Sequence, residues 1–334
     1  MESDQKTFKI LSIDGGGIKG LYSAKVLQHL EEKFGTLSDY FDMICGTSTG
    51  GLIALGLSLK IPSKDLVKFY VEKGPLIFPE RRKYFWLKWY DLARQSAFFG
   101  KFSDHALKTA LQEVFGDKLI GESNNLLCIP SYLVTEAKPR VFKKDYGDLD
   151  CDDKTRYVDV ALATSAAPTF FPMAELEIYD NNQFIDGGVW ANNPTLVGYV
   201  EAMTKIIGKD YGALDILSIS SLNLTGGKPV GMRRMRSFIG WRDDLFETAI
   251  TGQAKFTDYF MANINKISKV PVSYFRIPST VIGSKQESFV QLDVASKRAI
   301  KLILSKGNSQ GTIYKKMAEV EAFFKNPKTY NLNK

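Results

Sequence analysis

Two apolar runs each pass directly into a glycine-bounded turn and then into a helical pattern, and few folds accommodate that unit twice in a row. The first is "FKILSIDGGGIKGLYSAKVLQHLEEKFG", Phe8 to Gly35. Phe8–Ile13 reads as a buried strand, and Leu21–Phe34 as an amphipathic helix with Leu21, Ala24, Leu27 and Leu30 on one stripe. The second is "YFDMICGTSTGGLIALGLSLK": a short strand over Tyr40–Cys45, a turn, and an apolar helix that Pro62 ends. The alternation continues. "SKDLVKFYVEKG" predicts a helix with Ser63 as N-cap, "NLLCIPSYLVTE" and "PRVFKKD" predict strands, and "RYVDVALATSAA" a helix stopped by Pro168. "FIDGGVWANNP" leads into a helix with Asn193 as N-cap and Pro194 at its first position. "LDILSIS" is another buried strand, and the last third is helix-rich, from "RDDLFETAITGQAKFTDYFMANI" to "TIYKKMAEVEAFFK". Strands alternating with helices imply an α/β sheet covered on both faces.

The chain has 334 residues, 44% hydrophobic and 24% charged, which suits a globular protein with a substantial core. Its three cysteines, Cys45, Cys128 and Cys151, have neither metal-ligand nor C-x-x-C spacing, so a disulfide framework or zinc site is not expected. "MESDQKTFKI" has acidic residues and no apolar centre, unlike a signal peptide. Nowhere do about 18 apolar residues run together, so no transmembrane helix is expected. These features place the protein in a reducing cytosol. A formal charge of +7 suits an anionic surface or a phosphate-bearing ligand. Without zinc-finger spacing or a long Lys/Arg block, nucleic acid is not an expected partner.

"GTSTG", Gly46 to Gly50, is G-x-S-x-G between a strand and a helix, the setting a nucleophile elbow requires. Small residues beside Ser48 let the turn pass close to its neighbours, and the following helix N-terminus favours developing negative charge. A serine needs a base, and the chain has only two histidines. His29 lies within a helix and His105 in the first turn of another, capped by Ser103 or Asp104; neither has a motif around it, and His105 stays open as a partner. The better candidate base is Asp186 in "QFIDGGVWANNP", where Gly187 and Gly188 allow a turn to present the carboxylate at a strand end. An ordinary aspartate, pKa about 3.9, is a weak base towards serine, and burial would raise it. D-G-G alone is a common turn. Ser165 in "ATSAA" is a rival nucleophile without flanking glycines, better suited to capping or packing. Cys45 reads as a small buried residue.

Gly15, Gly17 and Gly20 spell G-x-G-x-x-G, which also describes a dinucleotide-binding turn. That turn needs an acidic residue at the end of a second strand about 20 residues on. Here the second strand ends in Cys45 and leads into the serine elbow. Beside a serine nucleophile, the N–H groups of Gly15, Gly16 and Gly17 are expected to form an oxyanion hole, with Lys19 adding positive charge.

"DGGGIKG", "GTSTG" and "DGG" in this order, with "ATSAAPTFFP" (Ala163 to Pro172) between the last two, resemble the patatin-like phospholipase family of lipid acyl hydrolases. The resemblance covers roughly Ile10 to Val200. It implies a three-layer α/β/α fold with a mixed, mostly parallel sheet. It also implies Ser48 as nucleophile, Asp186 as general base, Gly15, Gly16 and Gly17 as oxyanion hole, and no cofactor or metal. Residues 10–200 would be the catalytic domain and 201–334 a helical C-terminal extension on the same body. The substrate expected is membrane glycerophospholipid, with neutral lipid or thioester as alternatives within the enzyme class. A nucleotide-binding switch or a storage or scaffold protein are readings of other classes.

"GPLIFPERRKYFWLKWYDLARQSAFFGKF", Gly74 to Phe102, interleaves aromatics with Arg81, Arg82, Lys83, Lys88, Arg94 and Lys101. Such a segment suits a membrane interface, which predicts transient peripheral contact at the inner membrane; packing on the core or on a dimer partner fits equally well. Arg233, Arg234 and Arg236 suit a phosphate-bearing ligand or plain solvation. The stretch "YFRIPST…QLDVASKRAI" resembles the tail of bacterial patatin-like enzymes, some of which act in anti-phage defence and are switched on by a cyclic nucleotide. That likeness raises a cyclic nucleotide activator as an expectation, and leaves homo-oligomerisation open.

Overall fold

The computed structural model describes residues 6–79, 102–223, 243–283 and 289–332, with the single residues Gly231, Arg234, Met235, Ser237, Trp241 and Gln286. The basic, aromatic stretch carrying Arg81, Arg82, Lys83, Lys88, Arg94 and Lys101, and also Arg233 and Arg236, lie outside the described residues.

The strands are β1 (Lys6–Ile13), β2 (Met43–Gly46), β3 (Leu126–Leu133), β4 (Lys138–Phe142), β5 (Ala174–Leu176), β6 (Asn182–Asp186), β7 (Tyr211–Ile219) and β8 (Val272–Ile277). They form one mixed sheet in the order β5-β6-β3-β2-β1-β7-β8, with β4 also on β3. Pairing is parallel from β8 through β7, β1 and β2 to β3, and antiparallel where β4, β6 and β5 join. The helices are α1 (Gly20–Phe34), α2 (Thr49–Ser58), α3 (Ser63–Ile77), α4 (His105–Phe115), α5 (Tyr157–Ser165), α6 (Gly188–Ala191), α7 (Thr195–Lys205), α8 (Asp243–Ala262), α9 (Lys297–Tyr314) and α10 (Ala318–Glu321).

The period of two along each central strand sorts its side chains into two cores. Leu11 and Ile13 of β1, Ile44 of β2 and Leu217 of β7 join α1–α5 on one face. Phe8, Ile10, Met43, Cys45 and Ile216 join Ala202 of α7 and Met261 of α8 on the other. Helices therefore cover both faces, as the alternation of elements predicts. The stripe Leu21, Ala24, Leu27 and Leu30 is fully buried; each buried leucine contributes about 1.5–3 kcal/mol. β8 was not legible as a strand, since Ser273 and Arg276 in "VSYFRI" break both an apolar run and a period of two; it completes the parallel edge beside β7.

Local details differ from expectation for physical reasons. Ser63 does not cap α3: its hydroxyl has no partner among the described residues, and Glu31 of α1 accepts its N–H at 2.5 Å instead. α3 runs on through Pro75 to Ile77. β2 starts three residues late, at Met43, because Leu37–Asp39 forms a 3-10 turn and the Asp42 carboxylate accepts backbone N–H groups from Lys9, Thr329 and Tyr330. α7 begins one residue later than expected, with Pro194 rather than Asn193 at the N-cap position; the Asn193 side chain still accepts the Thr195 N–H at 3.0 Å.

Candidate active site

Register along β3 explains how residues 138 positions apart meet. β2 runs beside the first half of β3, from Met43 opposite Leu126 to Cys45 opposite Cys128. β6 runs the other way beside the second half, from Leu133 opposite Phe184 to Ser131 opposite Asp186. The C-terminal ends of both strands converge on the middle of β3. One end carries the serine turn and the other carries Asp186.

Ser48 has φ 55° and ψ −127°, a left-handed conformation that costs a non-glycine residue of order 1–3 kcal/mol. Surrounding contacts hold it there. The Ser48 N–H donates to Thr164 Oγ1 at 3.0 Å, and that hydroxyl donates in turn to the Pro130 carbonyl at 2.6 Å. A Cβ on Gly46 would lie 2.2 Å from the Gly50 oxygen, and one on Gly50 2.3 Å from the Ile13 oxygen. Both glycines are therefore required by close backbone approach.

Asp186 is 3% exposed. Its amide donates to the Ala166 carbonyl at 3.0 Å, and its Oδ1 accepts the Gly188 N–H at 2.7 Å. Gly187 backs directly onto the Pro130 carbonyl. The Ser48 hydroxyl and the Asp186 carboxylate face the same cleft, close enough for the hydroxyl to favour the ionised carboxylate. Burial pushes the carboxyl up to about 6, and the Ser48 hydroxyl and the Gly188 amide oppose that shift without cancelling it. A carboxylate at this position is a far better base than an exposed one and is still ionised at neutral pH.

The glycine loop lies against this pair. The Gly15 N–H donates to the Asn192 carbonyl at 2.9 Å and so is already committed. The Gly16 and Gly17 amides have no acceptor among the described residues, and both glycines line the cleft beside Ser48. Gly17 sits at φ 56°, and a Cβ there would lie 2.1 Å from the Leu292 oxygen. That carbonyl also accepts the Ile18 N–H at 2.9 Å. Behind the loop, the Arg276 guanidinium of β8 grips the fully buried Asp14 with contacts of 3.2 and 2.5 Å, and Ser221 Oγ donates to the Gly15 carbonyl at 2.8 Å. Lys19 is buried and paired with Glu247 of α8 at 2.9 Å, so its charge is balanced. Gly20, at the start of α1, packs on Thr49.

Ser48, Asp186, Gly16 and Gly17 open into a cleft of about 700 Å³, counting its mouth. Its walls are mainly apolar, with Leu52, Phe69, Ile77, Phe78, Phe170 and Phe246 prominent. Neither histidine lines it: His29 Nε2 lies 2.9 Å from Asn308 Oδ1 of α9, and the His105 amide donates to Ser103 Oγ at the start of α4. Thr164, Asn192, Ser221, Arg276 and Leu292 were not singled out in the sequence. Thr164 lies inside "ATSAA", whose pattern marks the segment without showing what it holds. Arg276 and Leu292 act from more than 250 positions away and leave no local signal.

Residues 11–199 match the family model "Patatin-like phospholipase". A protein named cGAMP-activated phospholipase from Pseudomonas aeruginosa is 31% identical over 309 residues, covering 90% of this chain and 87% of that protein. Another of that name, from Vibrio cholerae, is 32% identical over 235 residues, covering 65% of this chain and 63% of its own. Patatin-like protein 4 of Arabidopsis thaliana is 34% identical over 219 residues, covering 60% of this chain and 53% of its own. With the family model matching more than half of its length, the chain belongs to the patatin-like phospholipase family and is a lipid acyl hydrolase.

Proposed function

We propose that the protein releases fatty acids from membrane glycerophospholipids by a serine mechanism run by Ser48 and Asp186. The observation that carries this reading is Ser48, held at φ 55° on its turn, and the buried Asp186 lining the same end of one apolar cleft, where burial pushes the Asp186 carboxyl up to about 6. The acyl chain lies along the phenylalanine walls. Asp186 takes the Ser48 proton as Oγ attacks the ester carbonyl, and the oxyanion is held by the Gly16 and Gly17 amides. Gly15 does not join them, since its N–H serves Asn192. Collapse expels the lysophospholipid alkoxide, which takes the proton from Asp186. A water then gives its proton to Asp186, its oxygen bonds to the acyl carbon, and the bond to Ser48 breaks to free the fatty acid.

The activity is switched on by a cyclic dinucleotide in this reading. Support comes from the name of the Pseudomonas relative, whose alignment spans 90% of the chain and therefore reaches into the C-terminal third. A role as an anti-phage effector, meeting the inner membrane from the cytoplasm only when active, extends the resemblance of "YFRIPST…QLDVASKRAI" to the tail of bacterial patatin-like enzymes.

The test is fatty-acid release from mixed phospholipid vesicles, with and without cGAMP and related cyclic dinucleotides, for wild type and Ser48→Ala. Release that depends on Ser48 is expected, rising with one of the nucleotides. Equal release by both proteins overturns the mechanism, and release indifferent to every nucleotide overturns the switch.

A further inference from the structure

The tripeptide Thr164-Ser165-Ala166, at the C-terminal end of α5, holds both halves of the catalytic pair. Thr164 Oγ1 accepts the Ser48 amide and the Ala166 carbonyl accepts the Asp186 amide, each at 3.0 Å. Ser165 stands between them. Its own carbonyl accepts the Ala167 N–H at 2.8 Å, so its backbone is in use. Its side chain is not. The residue is 6% exposed, and its buried hydroxyl has no hydrogen-bond partner among the described residues. Leaving such a group unsatisfied costs about 1–3 kcal/mol, and alanine would fill the same space without that cost. The large majority of buried side-chain polar atoms have partners. Thr49 Oγ1, next to Ser48, is also without a partner among the described residues, but Ser165 alone of the two also lines a second cavity, from which a partner could reach it.

The surroundings of Ser165 indicate which partner. With Leu107 and Phe171, it lines two cavities at once. One is the apolar cleft. The other, about 760 Å³ including open solvent, is polar, with Asp104, Lys108, Arg156 and Asp159 among its walls. An acyl chain attached to Ser48 fills the apolar cleft and excludes water from that side. Deacylation nevertheless requires one water beside the ester and Asp186. The polar cavity is the nearby reservoir, and Ser165 lies on the wall between the two.

We propose that Ser165 receives the hydrolytic water from the polar cavity and holds it against the acyl-Ser48 ester. This rests on the Ser48–Asp186 mechanism. One water O–H donates to Ser165 Oγ and the other to Asp186. As the water oxygen bonds to the acyl carbon, its proton passes to Asp186. The bond to Ser48 then breaks, Ser48 recovers the proton, and the fatty acid leaves. Ser165 thus acts in the second half-reaction and is not needed for the first.

The experiment follows a p-nitrophenyl fatty-acid ester by stopped flow and intact-protein mass spectrometry. It uses wild type, Ser165→Ala, Ser165→Thr and Ser48→Ala under the condition that turns vesicle hydrolysis on. In Ser165→Ala, one equivalent of nitrophenol is expected in a burst near the wild-type rate. Steady turnover should be about tenfold slower, as loss of one hydrogen bond implies. KM should fall in parallel, an acylated mass should build up, and Ser165→Thr should restore turnover. Unchanged turnover in Ser165→Ala overturns the proposal. So does a burst slowed as much as turnover, which would mark a structural role. A burst in Ser48→Ala removes the mechanism beneath it and is thereby distinguishable.

Discussion

Asp14 and Asp186 are both buried carboxylates at strand ends beside the glycine loop, and their surroundings could hardly differ more. Asp14 faces the Arg276 guanidinium through two contacts, and Arg276 also donates to Ser218 Oγ at 2.6 Å. Asp186 meets a hydroxyl and a backbone amide. Burial pushes both carboxyls up, but only at Asp14 does an adjacent cation oppose it. The first carboxylate is a fixed charge that anchors the loop from behind. The second is poised to take a proton. Burial alone does not make a base; burial without a cation beside it does.

The largest effect is expected from breaking the anchored pair. Arg276→Leu leaves the Asp14 charge buried without a partner, which typically costs 3–5 kcal/mol. Denaturant unfolding should show that loss, and activity should fall with it because Asp14 leads directly into Gly15. An Arg276→Leu protein as stable as wild type would mean that Asp14 tolerates neutralisation, and the contrast with Asp186 would collapse.

Next in size is Asp186→Asn. The amide keeps an acceptor for the Gly188 N–H and a group facing Ser48 while removing the base. General-base catalysis contributes about 10²–10⁴ in rate, so vesicle hydrolysis should drop by that factor with folding intact. Retention of more than a tenth of the activity would transfer the base role elsewhere.

The two carboxylates also differ in how far they were legible. The strand–turn–helix units, Ser48, Asp186 and the glycine loop all sit in short contiguous motifs, where close backbone approach restricts residue choice locally. The division of labour within the loop was not visible: Gly15 is committed to Asn192, which depends on the turn after β6 folding back over β1. Arg276 was invisible for a different reason. Its partner is 262 positions away, and a lone arginine in a half-polar strand has no pattern of its own. Local backbone demands are written in consecutive residues, while pairings across the sheet depend on register.

A smaller effect sharpens the comparison by titration. If Asp186 must be ionised to act, kcat/KM should rise about tenfold per pH unit below about 6 and level off above it. The initial rate on vesicles between pH 4.5 and 8, checked for folding at each point, measures this. A profile flat through pH 6 would show that the base titrates elsewhere.

The smallest effect concerns stability, and its sign separates the two residues. The Asp186 carboxyl is raised from the ordinary 3.8 to about 6 in the folded protein. Below about pH 4 it is protonated in both states and contributes no pH dependence. Between about 4 and 6 the unfolded chain loses the proton while the folded protein keeps it, so folding weakens as pH rises through that window. Above about 6 both states are ionised and the penalty stays at its full value. Asp186→Asn removes that buried charge. Calorimetry at pH 8 should therefore find it melting about 2–4 °C above wild type, with the gain fading as pH falls towards 4. Asp14→Asn should shift the other way at pH 8, because it strands Arg276. If Asp186→Asn instead melts below wild type at pH 8, the contacts that the Asp186 carboxylate accepts outweigh the cost of its burial, and its loss resembles the loss of the paired Asp14 more than their partners suggest.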